Sequence, residues 1–245
     1  MTDNDIHTLS IKDIVVQNFH TAAVFEKYSL DFCCRGGKTV HKACEEKKID
    51  PQVVFAELSV LESEQDASGM RYTEWEPDFL VNYIIQNHHA YVRKMIPVLC
   101  AHTQKIAAVH GSNHPELNEI ALHFENIAVE MQQHMIKEEQ MLFPFITALH
   151  KAQTTNQSAP VSHFCSVQNP IRMMEQEHEH AGDAMYAIRE LSNNYSVPED
   201  GCTTYRVTFQ ELRDFEMDLH RHVHLENNVL FPKAVKMETD NITAH

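Results

Sequence analysis

Two segments of the chain place a histidine four residues ahead of a glutamate: HMIKE, from His134 to Glu138, and HVHLE, from His222 to Glu226. On a helix, residues four apart project from one face. Each segment also falls on an apolar repeat. Leu117, Ile120, Phe124, Ile127, Met131, His134, Glu138, Met141 and Phe145 follow alternating steps of three and four, as do Leu212, Phe215, Leu219, His222, Glu226 and Val229. Such a repeat is the buried seam of a bundle helix, so both pairs stand where apolar residues are expected. Burying an ionised carboxylate costs several kcal/mol unless something compensates it. An isolated buried pair of this kind is more often a structural hydrogen bond. Two copies on two core helices, with core histidines on two more, point to metal. Facing helices bearing carboxylates and imidazoles are the usual frame of a di-iron site.

The chain has 18 histidines, so spacing has to select the ligands. A third seam runs through Ile171, Met174, His178, Ala181, Met185 and Ile188. On the first helix, periodicity leaves His88 and His89 both open, with His88 slightly the more central. Turn positions supply an independent test, because residues level in an antiparallel hairpin are equidistant from its turn. His89 and His134 are equidistant from Gly111-Ser112, His134 and His178 from the TTNQSAP loop, and His178 and His222 from PEDG. All four imidazoles thus fall at one height of an up-down-up-down bundle. His110 lies roughly 30 Å from His89 along a continuous helix at about 1.5 Å per residue, and so belongs at the bundle end. His102, His114, His123, His150 and His163 have no partners at the same level and read as surface or loop residues.

The elements that carry these residues are all helical. Glycine is scarce, at 6 in 245 residues, and long amphipathic runs dominate, so the fold class is all-α. Four long helices are expected: Pro77 to Gly111, Pro115 to His150, Pro170 to Asn194 and Thr204 to Lys236, separated by turn-rich segments. Pro97 predicts a kink or break in the first. The polar stretch SEQDASGMRYTEWEP reads as a linker that divides the chain into a small helical domain over residues 1–65 and a bundle over 77–238. The small domain has too little core to stand alone and is expected to dock on the bundle or on a second copy of the chain. Asp50-Pro51 marks a helix start within it. Its turn YSLDFCCRGGKT holds the neighbouring Cys33 and Cys34. Such cysteines can be small apolar residues, yet the helix–turn boundary and Arg35 favour thiolate formation.

Lys plus Arg number 20 against 35 acidic residues, a formal net charge of −15. A chain this acidic is repelled by DNA and by anionic lipid. No basic segment followed by an apolar one opens it, and no run reaches the ~20 apolar residues of a membrane span. The six cysteines form no disulfide framework and read as reduced thiols of a cytoplasmic protein. Glu130, one turn before His134, and Glu177, directly before His178, read as outer-shell carboxylates or as solvated helix faces.

The motifs DFCCRGG, HHAYVR with IPVL, HPEL, HMIKEEQMLFP, EQEHEHAG and HLENNVLFP, in this order over nearly the whole chain, resemble the repair-of-iron-centres (ScdA-like) family. The resemblance implies a hemerythrin-like bundle with two non-haem irons in an oxo- and carboxylate-bridged centre. It implies His89, His134, His178 and His222 as terminal ligands, with Glu138 and Glu226 bridging. Oxygen-carrying hemerythrins use five histidines, so four imply a more open site. The implied function is repair of iron–sulfur clusters damaged by nitric oxide or oxidants, through donated iron, with iron–sulfur proteins as clients. Cys33 and Cys34 would then donate electrons, receive nitric oxide or touch a client cluster. Two other readings use the same site: an O2 or NO sensor or carrier, and an enzyme turning over NO, peroxide or S-nitrosothiol. A homodimer is a further expectation; nucleic acid and membrane are not.

Overall fold

A computed structural model describes residues 6–63, 71–158, 160 and 164–243. Residues 64–70 of the expected linker and His163 lie outside the described residues. The first unit contains α1 (Ile11–Gln17), α2 (Ala22–Lys27), α3 (Val40–Lys47) and α4 (Pro51–Ser63). Side-chain caps start three of them. Ser10 accepts from the Asp13 N–H at 3.3 Å, Thr39 from Lys42 at 3.4 Å, and Asp50 from Gln52 at 3.0 Å, with Pro51 first in α4.

Four long helices follow, and three carry a π turn. Helix α5 runs as Pro77–Tyr83, a π turn over Ile84–His89 and Ala90–His110. Helix α6 runs as Glu116–Lys137, a π turn over Glu138–Leu142 and Phe143–Thr154. Helix α7 spans Gln168–Leu191. Helix α8 runs as Thr203–Leu225, a π turn over Glu226–Leu230 and Phe231–Thr243. Each packs against its chain neighbour in an up-down-up-down bundle, α5 also lying against α8. The fold is all-α: among the described residues no strand forms, Ser10 and Thr39 making only an isolated bridge. No described helix is long and apolar enough to cross a membrane.

Pro97 sits inside α5 without ending it, so the helix continues to His110, which packs edge-on against Tyr205 at the far end of the bundle. The α6 seam departs from the expected repeat. Its first seven positions are buried, but Met141 is 55 % exposed and Phe145 only half-buried, while Leu142 and Ile146 take their places in the core. The π turn beginning at Glu138 explains the shift, because one extra residue in a turn displaces every later seam position by one. In α6 and α8 the turn closes with Phe143 or Phe231 donating to the carbonyl of Glu138 or Glu226, five residues back. Pro144 and Pro232 come next in sequence. A proline inside a helix has no N–H for the residue four back and crowds that carbonyl, which favours the wider turn.

The small unit docks on the bundle. Ile14, Phe25, Phe32 and Leu58 share one continuous core with Ile96, Phe124, Met185 and Phe215. Phe32 and Phe19 pack on His224 at 5.9 and 5.4 Å between ring centres. The Arg35 guanidinium meets Asp183 of α7 at 2.7 Å, and the Asn228 amide donates to the Phe32 carbonyl at 3.3 Å.

Candidate metal centre

The three π turns fall where chemistry is concentrated. One ends at His89, and the others begin at Glu138 and Glu226. With His134, one turn before Glu138, His222, one turn before Glu226, and His178 on α7, they form a dry cluster in which all six side chains are at most 1 % exposed. The imidazoles pair across helices. His89 Nε2 lies 3.1 Å from His222 Nε2, and His134 Nε2 lies 3.0 Å from His178 Nε2. Both carboxylates stand between the pairs. Glu138 Oε2 is 3.3 Å from His89 Nε2 and 3.2 Å from His134 Nε2. Glu226 turns one oxygen to His222 Nε2 at 2.9 Å and the other to His178 Nε2 at 3.1 Å. Two four-residue groups therefore share Glu138 and Glu226, one completed by His89 and His222 and the other by His134 and His178.

The outer faces of three rings are fixed. His89 Nδ1 donates to Glu139 at 2.6 Å, His134 Nδ1 to Glu177 at 2.9 Å and His178 Nδ1 to the Asn227 amide oxygen at 2.9 Å. Arg93 and Lys137 hold the two carboxylates in turn. A neutral imidazole that donates from Nδ1 presents a lone pair at Nε2. In the neutral form, lone pairs therefore face one another across about 3 Å, beside carboxylate oxygens of which Glu138 Oε1 and Oε2 and Glu226 Oε2 have no hydrogen-bond donor. Such an arrangement needs a cation, and the residues fit a pair of metal ions. Without metal, protons must do the work. Burial pushes His89 and His134 down, but the surrounding carboxylates outweigh it and raise both to about 10. Burial and the Glu226 charge push Glu138 up, yet the histidines hold it below the usual range; Glu226 is held further below. Burial lowers His222, whose Nδ1 has no partner.

His88 turns away from the cluster. It is buried, donates from Nδ1 to Asp218 at 2.9 Å and stacks on His222 with ring centres 5.6 Å apart. Both neighbours are buried because the π turn runs through them, which is why the period alone left two candidates. Glu177 reaches His134, whereas Glu130 is exposed. Glu139, Asn227 and Asp218 were not singled out from the sequence. A signal for the first existed in the doubled glutamate of HMIKEEQ. His102, His114 and His150 are not idle surface groups: they reach Glu211 at 2.7 Å, Asp200 at 3.0 Å and Glu76 at 2.9 Å, tying helices and loops together.

Cys33 and Cys34 sit beside this cluster rather than in it. Cys34 Sγ is 3.6 Å from the carbonyl oxygen of His178, and the Asn227 amide that accepts from His178 points its nitrogen at the Cys33 carbonyl, 3.5 Å away. The thiolate expected beside Arg35 is not favoured at Cys33. Arg35 is engaged by Asp183, and the Cys34 sulfur, burial and Asp31 together push the Cys33 thiol well above its ordinary value.

Fold and site together define a cation-binding four-helix bundle with a docked cysteine-bearing unit. The model of the hemerythrin HHE cation binding domain matches residues 80–234, and that of the ScdA N-terminal domain, described as a domain of unknown function, matches residues 8–62. The chain is 31 % identical over 237 residues to the iron–sulfur cluster repair proteins YtfE of Yersinia pseudotuberculosis (serotype IB, strain PB1/+) and Yersinia pestis (strain Pestoides F), covering 96 % of this chain and 100 % of each relative. The chain belongs to the repair-of-iron-centres (ScdA-like) family.

Proposed function

We propose that the protein holds an oxo- and carboxylate-bridged di-iron centre and donates iron from it to rebuild iron–sulfur clusters damaged by nitric oxide or oxidants in the cytoplasm. His89 and His222 would hold one iron, His134 and His178 the other, and Glu138 and Glu226 would bridge them. The observation that carries this reading is the sharing of two dry carboxylates, three of whose four oxygens lack a hydrogen-bond donor, between two histidine pairs. Full-length similarity to relatives named iron–sulfur cluster repair proteins supports the choice of client.

The chain's own residues explain how iron would be held and yet given up. Glu139, Glu177 and Asn227 keep the outer ring protons in place and aim three Nε2 lone pairs inward, a role that such outer partners play in metal sites generally. Bound iron would supply exchangeable metal for the client. Imidazole and carboxylate are harder donors than thiolate, and ferrous iron attracts carboxylate less than ferric iron does. The division into units over residues 1–65 and 77–238 belongs to the same proposal: the smaller presents Cys33 and Cys34 where a client protein docks.

The test mixes reduced, iron-loaded protein with an iron-depleted cluster protein and a sulfide source under anaerobic conditions. Iron transfer and recovery of the client's cluster absorption are expected, with faster loss of iron to a chelator from the reduced form than from the oxidised one. The donor reading is wrong if the reduced protein keeps both irons against a strong chelator and restores no cluster. Reversible O2 or NO binding under those conditions would establish the carrier or sensor instead, and saturable NO turnover with an electron donor would establish the enzyme.

A further inference from the structure

Outside the bundle core, one other set of metal-ligating side chains converges among the described residues: Asp31, Cys33 and Cys34, whose donor atoms all lie within 4.8 Å of one another. The turn that carries them is organised by Asp31. Its Oδ1 accepts the N–H of Cys33 at 2.9 Å and of Cys34 at 3.0 Å, and its Oδ2 accepts that of Arg35 at 3.2 Å. Three successive amides thus wrap around one carboxylate and fix where the two side chains start. The sulfurs are 3.6 Å apart, far beyond the roughly 2.05 Å of a disulfide, so the pair is a dithiol. Cys33 Sγ is 3.5 Å from Asp31 Oδ1.

These distances can be compared with the edges of a tetrahedral metal site. With metal–sulfur bonds of about 2.3 Å and metal–oxygen bonds of about 2.1 Å, tetrahedral angles put two sulfurs about 3.8 Å apart and a sulfur and an oxygen about 3.6 Å apart. Two of the three observed edges, 3.6 and 3.5 Å, differ from those values by about 0.2 Å or less, and the third, between Cys34 and Asp31, is within 4.8 Å, so an ion enters by drawing that one edge in. All three residues also line a cleft of about 280 Å³ between the small unit and α7, bordered by Glu179 and Asp183. A fourth ligand, from water or from a docked protein, has room there.

We propose that the Asp31–Cys33–Cys34 turn is a second metal-binding site, separate from the bundle core, that takes one thiophilic divalent ion such as Zn2+, Co2+ or Fe2+. Two thiols and one carboxylate exclude Mg2+ and Ca2+, which need all-oxygen shells. The ion replaces two thiol protons, which leave to solvent, and no electron is transferred. The site lies beside the turn of α7 that bears His178 but shares no ligand with the core, so it stands whether or not the core iron is donated.

The experiment titrates iron-loaded, full-length protein with Co2+ under anaerobic conditions. One further equivalent is expected to bind with sulfur-to-cobalt charge-transfer absorption and intense tetrahedral visible bands, while both core irons stay in place. Changing Cys33→Ser and Cys34→Ser together should abolish those bands at unchanged iron content, which also shows that the bundle is folded. Asp31→Asn keeps an acceptor oxygen for the amides of the turn and should weaken cobalt binding at least tenfold. The proposal is overturned if no sulfur band appears, if the double serine variant shows the same band, or if cobalt enters only as core iron leaves. Unchanged affinity in Asp31→Asn overturns the three-donor site as well.

Discussion

The bundle core and the cysteine turn place donor atoms together by opposite means. In the core, the six clustered residues come from four helices and are separated by as many as 137 positions of sequence, from His89 to Glu226. They stay together only because the whole bundle folds, and every one is buried. In the turn, three donors come from four consecutive residues, and one carboxylate fixes their backbone. The donor chemistry differs likewise, imidazole and carboxylate against thiol. The core withholds water and relies on opposite charges to offset desolvation; the turn stays at the edge of a cleft, where ligands can exchange. Substitutions should therefore act on the two regions separately.

The largest effect is expected from removing the shared carboxylates. Glu138→Ala with Glu226→Ala takes away both carboxylates that stand between the histidine pairs. Iron content should fall from about two per chain to near none, a greater loss than the roughly 10–100-fold that removal of an outer-shell partner costs. Cobalt binding at the cysteine turn should persist in the same variant. Metal analysis that finds both irons retained would break the comparison at its core.

Single imidazoles come next. His89→Ala should strip iron, while His88→Ala should leave it, since His88 faces Asp218 rather than the cluster. His110→Ala should leave iron content unchanged, because continuous α5 carries that residue to the far end of the bundle. Greater iron loss from His88→Ala than from His89→Ala would mean that the π turn holds the other ring inward.

A pH experiment separates metal from the protons that replace it. In the metal-free chain His89 and His134 are raised from an ordinary 6.5 to about 10 by the carboxylates around them. A group raised on folding adds stability that is fully present below its unfolded value and lost as pH rises through its folded one. The melting temperature of the apoprotein should therefore decline between about pH 6.5 and 10, whereas iron-loaded protein should hold its melting temperature over that range. Parallel curves for the two forms would show that protons and metal do not occupy the same place.

Much of this arrangement was legible in the residues. The four helices, their order and the level of the four imidazoles followed from seams and turn positions, because a bundle repeats one simple geometry. The π turns were not foreseen, and two readings suffered. Met141 and Phe145 were assigned to a core from which the extra residue rotates them, and a period that the backbone interrupts leaned slightly to His88, whereas His89 joins the cluster. Pro144 and Pro232, six residues after Glu138 and Glu226, carried the missing signal in two of the three helices. Arg35 misled in a different way. Sequence adjacency placed a cation beside the cysteines, but its long side chain reaches across to Asp183.

The smallest expected effect concerns which cysteine reacts, and it sharpens the contrast between a thiol awaiting metal and one activated without it. Cys202 is exposed and directly precedes Thr203, where α8 begins. His110 and the backbone N–H groups of Tyr205 and Thr204 lower it to about 7, as cations and helix N-termini do to thiols. Cys33 is shifted the other way by Cys34, burial and Asp31. At neutral pH about half of Cys202 should be thiolate, while Cys33 stays protonated. Iodoacetamide at pH 7 should therefore label Cys202 well ahead of Cys33, as read by mass spectrometry of the iron-loaded protein. His110→Ala should slow labelling of Cys202 a few-fold and leave Cys33 unchanged. Below pH 7 the Cys202 rate should drop tenfold per unit, and well above pH 7 it should level off. Rapid labelling of Cys33 at pH 7 would show that the turn holds a free thiolate without any metal, and the two regions would then differ less than their geometry implies.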